Sequence, residues 1–172
     1  MSNKEVSTMD IKIIDDFMPV EVFKEFQLLM RDIPWYTTLV LPKENLQCEP
    51  IYNFMFAHSF YKNNAPSSEL YSQFIEPLFS YIPIKSLIRA KINSNPRAEK
   101  IIQHGYHVDN EFNNSFTSIL YLNTNNGYTE FEKGTKVESI ENRFVTFPTY
   151  YKHTGSTCTD EPCRVTLNIN YF

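Results

Sequence analysis

The second half of this chain is a succession of short segments in which apolar and polar residues alternate. The clearest of them runs over residues 164–170, where Val165, Leu167 and Ile169 are apolar and the residues between them are polar. Side chains two residues apart on a strand point to the same side, so the alternation predicts a β-strand with one apolar and one polar face. Because each apolar face needs a packing partner, a chain rich in such strands is expected to form layered sheets.

Further strands are predicted at seven other places, namely residues 11–14, 87–93, 106–109, 116–122, 129–131, 136–140 and 143–147. In residues 87–93, Ile88, Ala90 and Ile92 share one face and polar residues share the other. Two glycine-containing pairs, Asn126-Gly127 and Lys133-Gly134, supply turns. An Asn-Gly pair between strands is a strong hairpin signal, so a hairpin is predicted at the first of them.

The first half of the chain is predicted to contain two amphipathic helices. Pro19 opens the first helix and Pro34 ends it. Its buried stripe consists of apolar residues at helical spacing: Phe23, Phe26, Leu29, Met30 and Ile33. The second helix is predicted over residues 67–79, where Pro77 should end or kink it. Helices followed by strands indicate an α+β fold. The chain is predicted to be a single domain over residues 1–172, in which residues 1–9 form a loose tail.

Charge and hydropathy exclude some classes of partner. The chain has 16 Lys and Arg against 20 Asp and Glu, with a net charge of −4 and no run of basic residues. Phosphate binding usually shows a basic excess, so nucleic acid is not expected as a partner. No stretch approaches the roughly 20 apolar residues of a membrane helix, and no secretion signal is visible, which predicts a soluble cytoplasmic protein. The three cysteines are expected to be free thiols.

A possible metal site begins with His107-Val108-Asp109. In an extended chain the imidazole and the carboxylate project side by side and can hold one cation. An exposed histidine beside a solvated aspartate would be the commoner explanation of this pair taken alone. His153, which follows the 143–147 strand, supplies a second imidazole. Taken alone, His153 could equally well be a loop histidine without a metal. Two histidines and one carboxylate form the facial triad of non-haem Fe(II) oxygenases.

The polar face of the last strand begins at Arg164. A planar guanidinium matches a carboxylate, so Arg164 is a candidate for binding the distal carboxylate of 2-oxoglutarate. This requires the polar face to line the interior of a barrel, whereas a strand with one face in bulk solvent would show the same pattern. The phenol of Tyr121 could donate a second hydrogen bond to that carboxylate, and a packed core tyrosine is an equal alternative.

Five segments in order resemble the prolyl-hydroxylase branch of the Fe(II)- and 2-oxoglutarate-dependent dioxygenases. They are HVDN (107–110), TSILYLNTNNGYTEF (117–131), NRFVTFP (142–148), His153 and RVTLNINYF (164–172). The resemblance covers about the last 70 residues. A looser resemblance is to small oxygenases encoded by tailed phages.

This resemblance implies a fold, a reaction and a set of site residues. The fold would be a double-stranded β-helix of the jelly-roll or cupin-like kind, with supporting N-terminal helices. The catalytic metal ligands would be His107, Asp109 and His153, which hold Fe(II). Arg164 would bind 2-oxoglutarate with help from Tyr121, and Thr166 and Asn168 would be further cosubstrate-binding residues. The reaction would use O₂, release succinate and CO₂, and hydroxylate a prime substrate.

One departure from the family pattern concerns substrate access. The branch usually has Gly-Gly where this chain has Gly127-Tyr128, so the Tyr128 side chain near the entrance is expected either to narrow or to redirect substrate access. The sequence leaves the prime substrate open among prolyl residues, other protein side chains, free amino acids and nucleobases. It also leaves open two alternatives without turnover, a ligand-binding double-stranded β-helix module and a β-sandwich recognition module whose His-x-Asp is accidental. Metal content distinguishes the latter from an oxygenase.

Overall fold

The computed structural model describes residues 11–172, and the tail predicted for residues 1–9 lies outside the described residues. Within them are two α-helices, α1 (Val20–Leu29) and α2 (Tyr71–Phe74). Short 3-10 helices span Met30–Asp32, Lys43–Asn45, Pro50–Tyr52 and Glu76–Ser80. The strands are β1 (Lys12–Ile14), β2 (Tyr36–Thr38), β3 (Met55–Lys62), β4 (Ala65–Pro66), β5 (Leu87–Pro96), β6 (Phe116–Tyr121), β7 (Tyr128–Phe131), β8 (Lys136–Glu138), β9 (Phe144–Pro148), β10 (His153–Gly155) and β11 (Cys163–Tyr171).

The strands form two antiparallel sheets. The larger has the order β1-β9-β6-β11-β5-β3-β2, with β4 paired to β3, and the smaller has the order β10-β7-β8. The last strand, β11, lies at the centre of the larger sheet between β5 and β6. Its two faces are those that the sequence predicted: Leu167 and Ile169 are fully buried in the apolar core, and the polar residues face the other way.

Two apolar cores separate three layers. One core joins the helices to the outer face of the larger sheet and contains Phe26 of α1, Phe74 of α2 and Ile92 of β5. The second core lies between the two sheets and contains Tyr121 of β6 and Phe131 of β7. Helices on one side of paired antiparallel sheets bear out the predicted α+β class and are consistent with a jelly-roll.

The first helix follows the predicted stripe. Phe23 and Phe26 are buried, and the ring of Phe26 meets that of Phe74 edge-on with centroids 5.2 Å apart. Phe60 of β3, which is completely buried, stacks on Phe74 with ring centroids 5.0 Å apart. Because burying a phenylalanine contributes roughly 1.5–3 kcal/mol, these aromatic contacts hold α1 and α2 against the larger sheet.

The second helix is shorter than predicted. Instead of one helix over residues 67–79, the chain forms the four-residue α2 and then the 3-10 helix Glu76–Ser80. Pro77 lies in the first turn of that 3-10 helix, where its missing N–H costs no hydrogen bond. The proline therefore divides the segment, and the buried Phe74 and Leu78 still face the core.

One predicted strand and one predicted hairpin were wrong, and one strand was missed. Residues 106–109 form no strand, and only His107 makes a bridge, to His153. The Asn126-Gly127 pair does not close a hairpin, because β6 and β7 belong to different sheets. Strand β3 was not predicted, although it pairs with β5 over five residues. The turn at Lys133-Gly134 does join paired strands β7 and β8, with Gly134 at a φ of 90°.

Two further expectations concern the whole chain. All three cysteines are free, as the sequence predicted. Over residues 11–172, the helices are too short to cross a membrane.

Candidate active site

A cavity of about 350 Å³ lies between the two sheets. One wall is the polar face of β5 and β11. The facing wall comes from β10 and from residues 104–109, which follow β5 in the sequence. The register of β5 and β11 sets Arg164 opposite Asn95 and Asn170 opposite Arg89. Because both strands alternate, their apolar residues enter the helix-side core while the polar ones are directed into the cavity.

The structure brings together His107, Asp109 and His153. One possible ligand atom from each residue lies within 4.8 Å of those of the other two. The two histidines are directly opposite each other, since each backbone N–H donates to the carbonyl of the other at 3.0 Å. Asp109 lies two residues after His107. The segment with His107 and Asp109 and the neighbouring strand with His153 therefore bring all three side chains to one point.

Backbone carbonyls orient both imidazoles. The Nδ1 of His153 is 3.0 Å from the carbonyl of Tyr151, and the Nδ1 of His107 is 3.3 Å from that of Gly105. A proton on each Nδ1 satisfies these carbonyls and leaves each Nε2 with a free lone pair. Metal-binding histidines commonly use this arrangement, in which the second nitrogen fixes the tautomer.

Aromatic side chains hold the ring of His153. It is buried, with the Phe147 ring 4.9 Å away in an edge-on arrangement and the Phe131 ring 6.1 Å away. The His107 ring is 4.7 Å from it. Burial and the neighbouring His153 together lower the pKa of His107, which favours the neutral imidazole that a metal requires.

Asp109 is held by an extensive set of donors. Arg89 donates to Oδ1 at 2.8 Å, while Thr117 and Asn170 donate to Oδ2 at 3.1 and 3.0 Å. Burial alone would raise the pKa of Asp109. The nearby His153 and Arg89 and the hydrogen bond from Asn170 outweigh burial and hold the pKa well below its usual range. Asp109 is therefore a carboxylate at any physiological pH.

The two imidazoles and the carboxylate fit an Fe(II) ion. A pair of histidines with one carboxylate is the donor set of non-haem iron oxygenases, and it leaves positions for other ligands on the metal. Arg89, Thr117 and Asn170 together occupy three of the roughly four lone-pair sites of the Asp109 carboxylate, so one site is left for a metal ion. His107, Asp109 and His153 would hold the ion.

Arg164 lies deeper in the same cavity and is 3% exposed. Its Nε donates to Ser139 at 2.7 Å and one terminal nitrogen donates to Thr129 at 2.9 Å. Within the part of the chain that the structure describes, no carboxylate comes within 4.0 Å of this guanidinium. Burial lowers the pKa of Arg164, but a guanidinium keeps its proton in proteins. A buried cation without an anion is a costly feature that a bound carboxylate would offset.

Gly127 makes room for Arg164. A Cβ at Gly127 would lie 2.7 Å from Cδ of Arg164 and 2.7 Å from the carbonyl oxygen of Thr157. We expect Gly127→Ala to destabilise the protein by about 1–3 kcal/mol through overpacking and to weaken 2-oxoglutarate binding by displacing the guanidinium. Chemical denaturation and calorimetry measure the two effects.

Gly155→Ala is the matched control for that stability measurement. A Cβ at Gly155 would meet only Nη1 of Arg164, at 3.4 Å. Its loss of stability should therefore be clearly smaller than that of Gly127→Ala. Equal stability of Gly127→Ala and the wild type would contradict the packing argument.

The remaining predicted site residues differ in position. Thr166 and Asn168 line the cavity and hydrogen-bond to each other at 3.0 Å. Tyr121 does not line it: its hydroxyl donates to Thr129 at 2.8 Å, and its ring is 5.4 Å from the guanidinium carbon of Arg164. Tyr121 thus lies behind Arg164, and its direct contact with a cosubstrate stays a prediction. The Tyr128 ring lies outside the cavity lining and against Lys136, so its effect on substrate access stays a prediction.

Sequence reasoning did not assign several residues of this site. They are Arg89 and Lys91 of β5, the second half of the β5 polar face at Asn93 and Asn95, the buried His104, and Thr117, Thr129 and Ser139 that support Asp109 and Arg164. For the four residues of β5, the alternation of polar and apolar residues in the sequence was a usable signal. The three hydroxyl residues carry no such signal, since their partners are distant in sequence.

Comparison with known proteins identifies the fold. No family model and no curated protein sequence matches the chain. Among solved structures it is similar to a Pseudomonas putida prolyl-4-hydroxylase, at 13% identity over 96% of this chain and 92% of that one, with a TM-score of 0.62. The chain is also similar to a Trichoplax adhaerens prolyl hydroxylase that was solved in complex with a hypoxia inducible factor oxygen degradation domain peptide fragment. The identity is 15% over 96% of this chain and 84% of that one, with a TM-score of 0.64.

A third similar structure has a different activity. It is a non-heme alpha ketoglutarate dependent carbocyclase from nogalamycin biosynthesis, with 12% identity over 95% of this chain and 79% of that one and a TM-score of 0.66. At such identities the similarity establishes a shared fold. The chain therefore has the fold of 2-oxoglutarate- and Fe(II)-dependent oxygenases, and its chemistry has to be argued from its own residues.

Proposed function

We propose that this protein is an Fe(II)- and 2-oxoglutarate-dependent dioxygenase that hydroxylates a prime substrate. The observation that carries the proposal is a single cavity with two complementary features. A His-Asp-His cluster suited to Fe(II) lines one part of it, and a buried guanidinium that has no carboxylate partner among residues 11–172 lies deeper. A 2-keto diacid matches both features, because its keto-acid end can bind a metal and its other carboxylate needs a separate cationic partner.

The spacing of the two features suits a five-carbon diacid. His153 and Gly155 are two residues apart on β10, so both face the cavity, and Gly155 lies against the Arg164 guanidinium. Two residues of a strand advance by about 6.6 Å, which is of the same order as the length of a five-carbon chain. We infer that the keto-acid end of 2-oxoglutarate binds at the triad and that Arg164 binds the distal carboxylate.

The protein's own residues position and insulate the reactants. His107, Asp109 and His153 would hold the iron, which when bound supplies O₂ activation coupled to the conversion of 2-oxoglutarate to succinate and CO₂. Thr129 and Ser139 fix the guanidinium so that it needs no rearrangement to accept a carboxylate. Arg164 is almost completely buried between the two sheets, and the low dielectric of such a position would strengthen an ion pair formed there.

A first experiment tests the proposed function directly. Anaerobic calorimetry should detect 2-oxoglutarate binding that is markedly tighter when Fe(II) is present than when it is absent, because one end of the diacid binds the metal. In air the same protein should release succinate. A protein that binds no metal, or whose affinity for 2-oxoglutarate is independent of Fe(II), would contradict the proposal and support a non-catalytic ligand-binding module.

A second experiment searches for the prime substrate. A lysate is treated with enzyme, Fe(II) and 2-oxoglutarate, and mass spectrometry compares peptides and small molecules with those of a sample lacking 2-oxoglutarate. A hydroxylase is expected to increase the mass of its substrate by that of one oxygen atom. The Asp109→Ala variant serves as the control for oxidation that the enzyme does not cause.

A further inference from the structure

The cavity lining contains more positive than negative charge. Its ionised side chains are Arg89, Lys91 and Arg164 on one hand and Asp109 on the other. Three cations against one carboxylate leave two positive charges in excess. If the proposed function is correct, Fe(II) adds two positive charges and the 2-oxoglutarate dianion adds two negative ones, so the excess persists in the loaded site. Charges in a partly buried cavity are costly unless a counterion neutralises them.

Lys91 is the cavity cation without an assigned partner. It lies on β5 opposite Asn168 of β11 and is only partly exposed. Across residues 11–172, its ammonium group has no carboxylate within 4.0 Å. Burial, followed by repulsion from Arg89, lowers the pKa of Lys91 to about 8, and the attraction of the Asp109 carboxylate, which lies beyond ion-pair distance, only partly offsets this. The side chain therefore remains largely protonated at neutral pH while it is poorly solvated.

The other two cavity cations already have partners or a proposed role. Arg89 donates to Asp109 and to Asn170, which holds it beside the metal triad. Arg164 is assigned to the distal carboxylate of 2-oxoglutarate, and the keto-acid end of the same molecule is assigned to the metal. Both carboxylates of the cosubstrate are then accounted for without Lys91.

Part of the lining is apolar and comes from a different region of the chain. Val40, Leu41 and Pro42 follow β2, and Met55 begins β3. These side chains contact the same cavity as Lys91 and offer no hydrogen-bonding groups. A molecule that fills the space would meet a cation on one side and apolar carbon on another, as expected of a site for an amphipathic acid.

We propose that the prime substrate carries a carboxylate, which Lys91 binds, and an aliphatic portion, which contacts Val40, Leu41, Pro42 and Met55. The inference rests on the proposed function, because it treats the metal and Arg164 as occupied by 2-oxoglutarate. The carboxylate could belong to a free organic acid or to an acidic side chain of a polypeptide. The chemistry recognised is the same, and the two sources are separated by the choice of probe.

The test is anaerobic calorimetry on protein loaded with Mn(II) and 2-oxoglutarate, which prevents turnover. Hexanoate and hexanamide form one matched pair of probes and represent a free acid. N-acetylglutamate amide and N-acetylglutamine amide form a second pair and represent a protein side chain. At least one acid should bind about tenfold to a hundredfold more tightly than its amide, because only the acid forms a charge-assisted bond with Lys91.

Three variants assign that preference to Lys91. Lys91→Met keeps the length of the side chain and should abolish the preference for the acid. Lys91→Arg keeps the charge and should retain most of it, which also controls for misfolding of the methionine variant. Lys62→Met changes an exposed lysine at the end of β3 and should behave like the wild type.

The outcomes separate this inference from the proposed function. Equal binding of acid and amide by the wild type, or an unchanged preference in Lys91→Met, would overturn the role of Lys91. A third outcome combines two results: the wild type shows no preference for the acid, and Lys91→Met binds 2-oxoglutarate more weakly. This outcome would assign Lys91 to cosubstrate binding, and the proposed function would stand. A wild type that binds no 2-oxoglutarate with the metal would overturn both proposals, and the loading titration reveals this before any probe is added.

Discussion

Replacing Asp109 by alanine is expected to abolish metal binding and 2-oxoglutarate turnover while the protein remains folded. The carboxylate is the single anionic member of the metal cluster. Changes to groups that only support a metal ligand typically reduce affinity or activity by about 10–100-fold, so loss of the ligand itself should exceed about a hundredfold. Metal analysis of the purified variant and a succinate assay measure the two effects.

The effect of Asp109→Ala on stability should be modest by comparison. Thr117 and Asn170 lose an acceptor, which costs about 1–3 kcal/mol for buried donors left unpaired. Arg89 is partly exposed, so its guanidinium can be hydrated once the carboxylate is gone. Asp109→Asn retains an acceptor for these donors but has no negative charge, and it should fold like the wild type while binding metal poorly.

Asp15→Ala is the matched control for the Asp109 variants. Asp15 is a largely exposed aspartate that forms an ion pair with Arg143 on the protein surface, away from the cavity lining. It should bind metal and turn over 2-oxoglutarate normally. Full turnover by Asp109→Ala would remove this residue from the metal site. Loss of the native circular dichroism spectrum by both Asp109 variants would instead assign it a structural role.

Replacing Arg164 by alanine is expected to weaken 2-oxoglutarate binding about tenfold to a hundredfold, corresponding to roughly 1.5–3 kcal/mol for a charge-assisted bond. The guanidinium is buried, held by Ser139 and Thr129, and has no carboxylate partner of its own in residues 11–172. Its removal should leave metal affinity nearly unchanged, because Arg164 contacts none of the triad side chains. Anaerobic titration with Fe(II) and then with 2-oxoglutarate separates the two affinities.

Two further arginine variants sharpen this prediction. Arg164→Lys keeps the positive charge but loses the planar pair of donors, so it should recover part of the lost affinity. Arg97→Ala removes an exposed arginine outside the cavity and should bind 2-oxoglutarate like the wild type. A dissociation constant that is unchanged in Arg164→Ala would exclude the residue from the cosubstrate site. It would also remove the main reason to name 2-oxoglutarate.

Local patterns in the sequence were sufficient for the strand faces and for the candidate ligands. Alternation over residues 164–170 predicted which side chains of β11 enter the apolar core, and Leu167 and Ile169 lie there. The types of residue at 107, 109 and 153 indicated a metal triad before any geometry was known. The structure bears out the strand faces and brings the three side chains together, while their role as metal ligands stays a prediction. Strand periodicity can be recognised from a few neighbouring residues, and metal-donor chemistry from residue type alone.

Pairing between distant strands was beyond such patterns. Asn126-Gly127 was expected to close a hairpin, yet β6 and β7 separate into different sheets, and the backbone N–H of Asn126 bonds to Asp160 instead. Strand β3 was missed, and it pairs with β5, where paired residues lie about thirty or more positions apart in the sequence, from Tyr61 with Ala90 to Phe56 with Ser94. Local propensity cannot specify which partner a strand will find, because the stabilising contacts are made with remote parts of the chain.

The environment of the site residues was decided by the tertiary structure alone. The sequence offered Arg164 as a carboxylate partner, but only packing shows that it is buried, that it has no carboxylate partner among the described residues, and that Gly127 must lack a side chain beside it. The contacts of Arg89 with Asp109 and the position of Lys91 likewise depend on how β5 pairs with β11. The sequence determined which chemical groups are present and which strand face carries them. Burial, charge balance and the approach of groups far apart in the chain arise only when the sheets close around the cavity.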